Sequence, residues 1–391
     1  MMIVKTEQDL AEAVKSAKGS LRIRGGGTRD IGNPVNGDEL STAGLNGITL
    51  YEPGALTIVA QAGTPVADIE AALDDENQRL AFEPMDHRTL LGSTGTPTIG
   101  GVVATNASGP RRISVGACRD HLLGVRFVDG AGTIIKNGGR VMKNVTGYDL
   151  VKLMAGSYGT LGVLSEVSLK VLPKPETETT LVLHDLSLSD SVAAMSAALG
   201  SPFEVTGAAL HLPSTKDATP NAVGEQTCIR IEGFEASVEY RFGKLKELLG
   251  KFGDVSRVDR ANSAALWREI RDVSIFTDRK AVTRVSIKPS AAPLFAERLK
   301  QAHNADLVMD WGGGLMWFGV RADVDDCEAI HATLQAMVAA ESGHATLIKE
   351  ALKLRETMPV FQPENPTVSM LSRGLRAKFD PRGILNAGLM G

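Results

Sequence analysis

The residues with the clearest chemical potential are ones with almost no side chain. Arg24-Gly25-Gly26-Gly27-Thr28 follows LRIR, a short apolar run of strand-like character. Consecutive glycines let backbone N–H groups approach an anion closely, and Arg24 adds positive charge. A pyrophosphate is a sensible occupant; a plain surface turn is the competing reading. No Gly-Lys-Ser/Thr follows, so this is not a Walker A loop, and the turn-rich RDIGNPVNGDE after it makes a poor Rossmann fingerprint. A second stretch, GSTGTPTIGGVVATNASGPRR (92–112), sets Gly100 and Gly101 before Val102, Val103 and Ala104, then supplies Thr105, Asn106 and Ser108. Small and apolar positions with a few polar groups suit backbone lying against a large flat ligand. A third, KNVTGYDLVKLMAGSYGTLGVLSEVSL (143–169), runs from a helix through Gly159-Thr160-Leu161-Gly162 into a strand.

The conventional catalytic side chains are less informative. Seven histidines, at 87, 121, 184, 211, 303, 331 and 344, show no HxH or HExxH spacing, and each reads first as a surface or hydrogen-bonded core residue. Arg111 and Arg112 could meet a carboxylate or a phosphate, or be a solvated pair. Lys143 and Lys152 flank the third stretch and could place charge near a ligand, or lie on a helix surface. Tyr148 and Tyr158 read as packing residues, Trp311 and Trp317 as core or interface. Cys118, Cys228 and Cys327 stand about a hundred residues apart with no CxxC among them, which gives neither a disulfide framework nor a metal cradle.

These groups need a scaffold, and 391 residues suit two domains, each with its own core. A net charge of −4 and 5% aromatic residues argue against a nucleic-acid binder. No stretch of 18 apolar residues occurs and the start resembles no signal peptide, so a cytoplasmic protein is expected. Residues 92–162 hold 15 glycines, well above the usual ~7%. VLPKPETETT punctuates the chain near Leu172. Before it we expect a helix capped by Thr6 with Leu10, Val14 and Ala17 inward, strands at LRIR and LTIVA, and a helix opened by Thr64-Pro65. A hairpin should turn at Asp129-Gly130, and EVSLKVL should be a strand with Val167, Leu169 and Val171 on one face. Beyond the punctuation, FEVTGAALHL, TCIRIEGF, AVTRVSIK and LMWFGVR read as strands, and Val238, Phe242, Leu245 and Leu249 mark a helix. A small sheet backed by helices follows.

In their order and spacing, RGGGT, TIGGVVATNASGPRR and KNVTGYDLVKLMAGSYGTLGVLSEVSLKVLP resemble the PCMH-type FAD-binding domain of the vanillyl-alcohol oxidase superfamily. ASGPRR, VMKNVTGYDL and the closing FDPRGILNAG extend the similarity along the whole chain, towards the E-subunit family of bacterial glycolate oxidases. The resemblance implies an α+β protein: a two-subdomain FAD-binding domain at 1–173, a smaller α/β sheet-and-helix cap domain at 174–345, and a C-terminal segment, 346–391, returning to the FAD domain. Gly25, Gly26, Gly27 and Thr28, beside Arg24, would hold the pyrophosphate. Gly92, Gly100, Gly101, Thr105, Asn106 and Gly109 would line the flavin and ribityl chain, Gly162 and Val163 would offer backbone, and Asn386 would mark the returning tail. Thr28 stands where histidyl-linked members carry their histidine, so the FAD should be non-covalent.

The same resemblance implies oxidation of a 2-hydroxy acid, glycolate to glyoxylate, by hydride transfer to the flavin. It also implies a sister FAD-binding subunit and an iron–sulfur subunit as partners, and contact with the inner membrane only through them. The D-lactate and D-2-hydroxyglutarate dehydrogenases that act without partner subunits carry GDGNxH and EHG motifs for a metal; neither occurs here, and no metal is expected. Arg111, Lys152 and His344 are the weak catalytic candidates, His344 lying roughly where the EHG histidine would fall. A self-sufficient D-2-hydroxy-acid dehydrogenase and a non-catalytic subunit that keeps the flavin fold are the alternatives.

Overall fold

The computed structural model describes residues 1–140, 147–212, 224–303, 305–320, 324–350 and 352–391. Lys143 and most of VMKNVTGYDL lie outside them. The chain forms two compact units of nearly equal length, one of residues 1–108, 116–174 and 363–391, the other of 109–115 and 175–362. The second unit, expected to be the smaller, therefore matches the first. The segment expected to begin at 346 is divided between them, changing unit at 362/363.

In the first unit the helix Glu7–Ser16 starts at a reciprocal cap: Thr6 Oγ1 accepts from the Asp9 N–H at 3.0 Å, and the Asp9 carboxylate accepts from the Thr6 N–H at 3.0 Å. Its inward Leu10 and Val14 are fully buried over a parallel sheet of Met2–Ile3, Asp38–Ser41 and Leu21–Arg24. A second, antiparallel sheet orders Ile48–Glu52, Thr57–Gln61, Val163–Lys170, Leu122–Val128 and Ile134–Gly138. Val163–Lys170 is central, so Leu164 and Ser168 are buried along with Val167 and Leu169, and the expected two-faced alternation is blunted. The hairpin turns where expected, but through a longer loop: Asp129 Oδ1 accepts from the Ala131 and Thr133 N–H groups at 2.9 and 2.8 Å. The helix after Thr64 begins at Val66, with Pro65 in the capping position. The Thr64 hydroxyl accepts from the Gly47 N–H at 3.0 Å and does not cap.

The second unit is a β-α-β-β-α-β succession made twice. The first runs Thr177–His184, Leu188–Leu199, Val205–His211, Gln226–Gly233, Glu235–Leu249, Ser256–Val258; the second runs Ala281–Ser286, Ala292–Ala302, Ala305–Asp310, Leu315–Val320, Val324–Ala340, His344–Lys349. Each half orders its strands fourth, first, third, second. The two second strands meet at Leu210 and Met309, closing one eight-stranded antiparallel sheet. Leu245, Ala296 and Leu334, from three of the helices, are fully buried in its main core. Arg260–Asp272 contributes Trp267 to a smaller cluster with Val182, Ala209 and Cys228.

His211, at 4% exposure, ends one of the joining strands, and burial pushes its imidazole down to about 4. A histidine held below its ordinary value binds fewer protons folded than unfolded. The stability it contributes is present above about pH 6.5 and is lost as pH falls through 4. The full span corresponds to roughly 3 kcal/mol. We expect His211→Gln to flatten the decline of denaturant midpoints between pH 6.5 and 4; an unchanged slope would remove His211 from the account.

Candidate cofactor site

A cleft in the first unit is walled by the loop after Leu21–Arg24, the helix Ile99–Thr105, the segment Ser157–Leu164 and the C-terminal tail. About 950 Å³ within it, its open mouth included, is free of protein atoms. Arg24, Gly25, Gly26, Gly27, Thr28, Gly100, Gly101, Thr105, Gly162, Val163 and Asn386 all line it. Eleven of the fourteen expected positions, far apart along the chain, therefore come together in its wall.

The glycines do two jobs, and only one was foreseen. A Cβ on Gly26 would lie 1.5 Å from the Thr96 carbonyl oxygen, and one on Gly95 would lie 1.8 Å from that of Gly26. The RGGGT loop and the 95–98 segment thus pack backbone on backbone, and these side chains are absent so that the loops can touch. Gly100 is pressed the same way against Ala62, whose Cβ and carbonyl oxygen would each lie 2.7 Å from an added Cβ. At Gly101, by contrast, the nearest atoms to an added Cβ are Arg29 Nη1 and Thr98 Oγ1, both at 3.4 Å. Here the missing side chain leaves room in the cleft itself. Gly27 adopts a φ of +71°, which a glycine takes without strain.

Three expected positions do not line the cleft. Gly92 ends the short helix Arg88–Leu91 in the left-handed conformation. Asn106 ends Ile99–Thr105 the same way, its Oδ1 accepting from the Arg119 N–H at 2.9 Å. Gly109 belongs to the second unit, where its carbonyl accepts from Trp311 Nε1 at 3.1 Å. Each is a backbone specialist, and composition alone does not separate that role from ligand approach.

The tail explains FDPRGILNAG residue by residue. Phe379 packs on Phe127, with ring centroids 6.2 Å apart. Asp380 accepts from the Leu385 N–H at 2.7 Å and fixes its own loop. Arg382 donates to the Gly130 carbonyl at 2.9 Å and to that of Ala17, past the helix C-terminus, at 3.1 Å. Residues 384–386 then lie beside Leu21, with the Asn386 N–H donating to the Leu21 carbonyl at 3.0 Å. The Asn386 side chain accepts from the Ile23 N–H at 2.7 Å and donates to the Tyr158 carbonyl at 2.8 Å, tying the edge of the glycine loop to the third glycine segment.

Charge in the cleft comes from Arg22, Arg24 and Arg29. Arg22 is paired with Asp30 at 2.9 Å and Arg24 with Glu39 at 3.0 Å. Arg29, which sequence reasoning passed over, donates from Nη2 to the Met85 carbonyl at 3.2 Å, and its buried Nε has no hydrogen-bond partner. Burial pushes it down to about 10, against the pull of Asp86, so it stays protonated at neutral pH.

The weak catalytic candidates are placed elsewhere. Arg111, in the second unit, holds Glu232 in a two-pronged fork at 2.9 Å, which turns its donors to a structural carboxylate. Arg112 stacks on the Trp311 ring at 4.3 Å, and Arg284 lies 5.3 Å from the same ring centre. Lys152 donates to the Arg119 carbonyl. His344 is exposed on the outermost strand of the eight-stranded sheet. Among the described residues no His, Cys, Asp and Glu cluster could hold a metal ion.

A groove floored by main chain, with little side-chain bulk and a cation in its wall, fits a dinucleotide with a flat ring system. Residues 1–138 match the family model of the FAD binding domain, and the chain is an FAD-dependent oxidoreductase. The chain is 33% identical to the Escherichia coli (strain K12) glycolate oxidase subunit GlcE, over 98% of this chain and 97% of that one. It belongs to the family of FAD-binding glycolate oxidase subunits of the PCMH type. It is also 28% identical to the Bacillus subtilis (strain 168) glycolate oxidase subunit GlcD, covering 94% of this chain and 83% of the other. Against rat mitochondrial D-2-hydroxyglutarate dehydrogenase the identity is 26%, covering 93% and 72%. Among solved structures, alkyldihydroxyacetonephosphate synthase superposes with a TM-score of 0.69 at 16% identity, over 98% of this chain and 76% of that one, which shows the shared fold.

Proposed function

We propose that this chain is the FAD-carrying subunit of a complex that oxidises a 2-hydroxy acid, glycolate, to glyoxylate. Full-length similarity to a glycolate oxidase subunit carries this reading. The cofactor accepts two electrons as substrate gives up the hydrogen on its α-carbon and its hydroxyl proton. The protein's part is to grip the diphosphate along Gly25–Thr28, leave the ring side of the cleft open at Gly101, and lock the tail over the site through Asn386. Thr28 leaves the FAD without a covalent bond. The three cysteines are all buried and far apart in sequence, which supports delivery of electrons to a partner with an iron–sulfur cluster. Among the described residues no helix is long and apolar enough to cross a membrane, in keeping with membrane contact made through partners.

Similarity to D-2-hydroxyglutarate dehydrogenase along nearly the whole chain favours a second reading, a self-sufficient D-2-hydroxy-acid dehydrogenase. Purified, FAD-loaded protein mixed with glycolate or D-lactate and an artificial acceptor separates the two. We expect the flavin band to persist with the chain alone and to bleach when the co-expressed partner subunits are present. Bleaching by the isolated chain would establish the second reading, and a chain that takes up no FAD would overturn both.

A further inference from the structure

The helix Pro366–Phe379, in the first unit, buries none of its residues. Val368, Leu371 and Leu375 on it are 40–60% exposed. Its ends are well made: Asn365 Oδ1 accepts from the Thr367 N–H at 3.0 Å, and Phe379 packs on Phe127. A helix of this length is marginal in water by itself, because helical stability comes mostly from packing an apolar face. This one leaves that face uncovered, and an uncovered apolar stripe marks an interaction site.

Pattern and charge say what covers it. Val368, Leu371 and Leu375 fall at i, i+3 and i+7, the spacing of the anchors that an amphipathic helix lays into an apolar groove. The helix carries Arg373, Arg376 and Lys378 and no acid, in a chain whose net charge is −4. Arg376 is engaged by the Gly391 carbonyl at 2.7 Å, whereas Arg373 and Lys378 are exposed. Two copies of the helix packed stripe to stripe would set cations against cations, which argues against a second copy of this chain. A lipid surface is a poorer occupant than a groove, because the stripe is only about two turns long and Lys378 continues it. We propose that this helix docks in an apolar, acid-rimmed groove on a partner subunit of the complex. The inference rests on the reading of the chain as one subunit of several, and adds the surface by which it is held.

The test co-expresses the chain with the partner subunits, one of them tagged. The parent is compared with Leu371→Gln/Leu375→Gln and with Arg373→Gln/Lys378→Gln. All four side chains are exposed, so each variant alone should keep the parental FAD content and melt within about 2 °C of the parent. We expect the apolar pair to cut the recovered complex roughly tenfold or more. The charge pair should weaken assembly about threefold at low salt and make it less sensitive to added salt, as rim charges do. Amide exchange over 366–379 should slow in the parent when the partner subunits are bound. Parental assembly by the apolar pair would overturn the proposal and leave the subunit reading intact; a parent that assembles with no partner subunit would overturn both. A dimer of the chain alone that the apolar pair breaks would assign the face to a second copy. Flotation on phosphatidylglycerol vesicles that the apolar pair abolishes would assign it to lipid, and either result overturns the proposal. Should the apolar pair yield no folded protein, the charge pair and the exchange measurement carry the test, and parental salt dependence with unslowed exchange would overturn it.

Discussion

Gly26→Ala is expected to yield a protein that has lost its FAD and unfolds several degrees below the parent. The added methyl would sit 1.5 Å from the Thr96 carbonyl oxygen and 2.6 Å from its carbon. Those are main-chain atoms, so no rotamer change relieves the overlap; the loop must move, at a cost of about 1–3 kcal/mol or more. On the proposed function, movement of the loop also removes the grip on the diphosphate. Gly101→Ala is the control, because its methyl would meet nothing closer than 3.4 Å. That variant should melt within about 2 °C of the parent, in line with a fraction of a kcal/mol, while binding FAD less tightly. Absorbance near 450 nm per mole of protein and a thermal melt read both variants. Parental flavin content in Gly26→Ala would show that the two loops are not locked together as described.

Arg111→Ala should destabilise the second unit by about 3–5 kcal/mol, the scale for removing one partner of a buried ion pair. The substitution takes the closer guanidinium from Glu232, whose side chain is 3% exposed and which keeps Arg230 at 3.9 Å, and removes one cation from Glu178, at 12%. Burial already raises the Glu178 carboxyl, while Arg230 and Arg111 oppose the rise. Without Arg111 the Glu178 carboxyl, already raised, favours the protonated form still more strongly in the folded chain than in the unfolded one. The penalty is therefore full above the raised folded value and fades as pH falls through the carboxylate range. Urea unfolding at neutral and acidic pH measures it. Arg111→Met combined with Glu232→Leu should regain part of the loss, since one cation and one anion leave together and Arg230 and Glu178 remain to offset each other. A neutral-pH cost under about 1 kcal/mol would mean that Arg111 is dispensable to the unit and open to another role.

Much of what lines the cleft was readable because glycine runs mark places where backbone is closely approached. What the same runs conceal is their partner. Nothing in RGGGT says that Gly26 must meet Gly95, since loop-on-loop contact leaves no periodic mark. Arg29 was missed for a related reason: next to Asp30 it reads as one more solvated charge, and only the folded loop turns it inward while Asp30 pairs with Arg22. Arg111 failed in the opposite sense. Its place after a glycine-rich segment suggested a ligand, whereas its carboxylate comes from Glu232, 121 residues away. The strands of the second unit were mostly legible from their apolar runs. Their duplication was not, because the two halves share an order of elements and not a pattern of residues.

Residues 363–391 belong with the first unit although most of the second unit intervenes. A ribosome therefore delivers the strand preceding RGGGT long before the asparagine that fastens it. Most of the second unit is an uninterrupted span and can mature during synthesis, but the cleft of the first unit must wait until Asn386 has been made. Nascent chains stalled short of position 386 should emerge colourless.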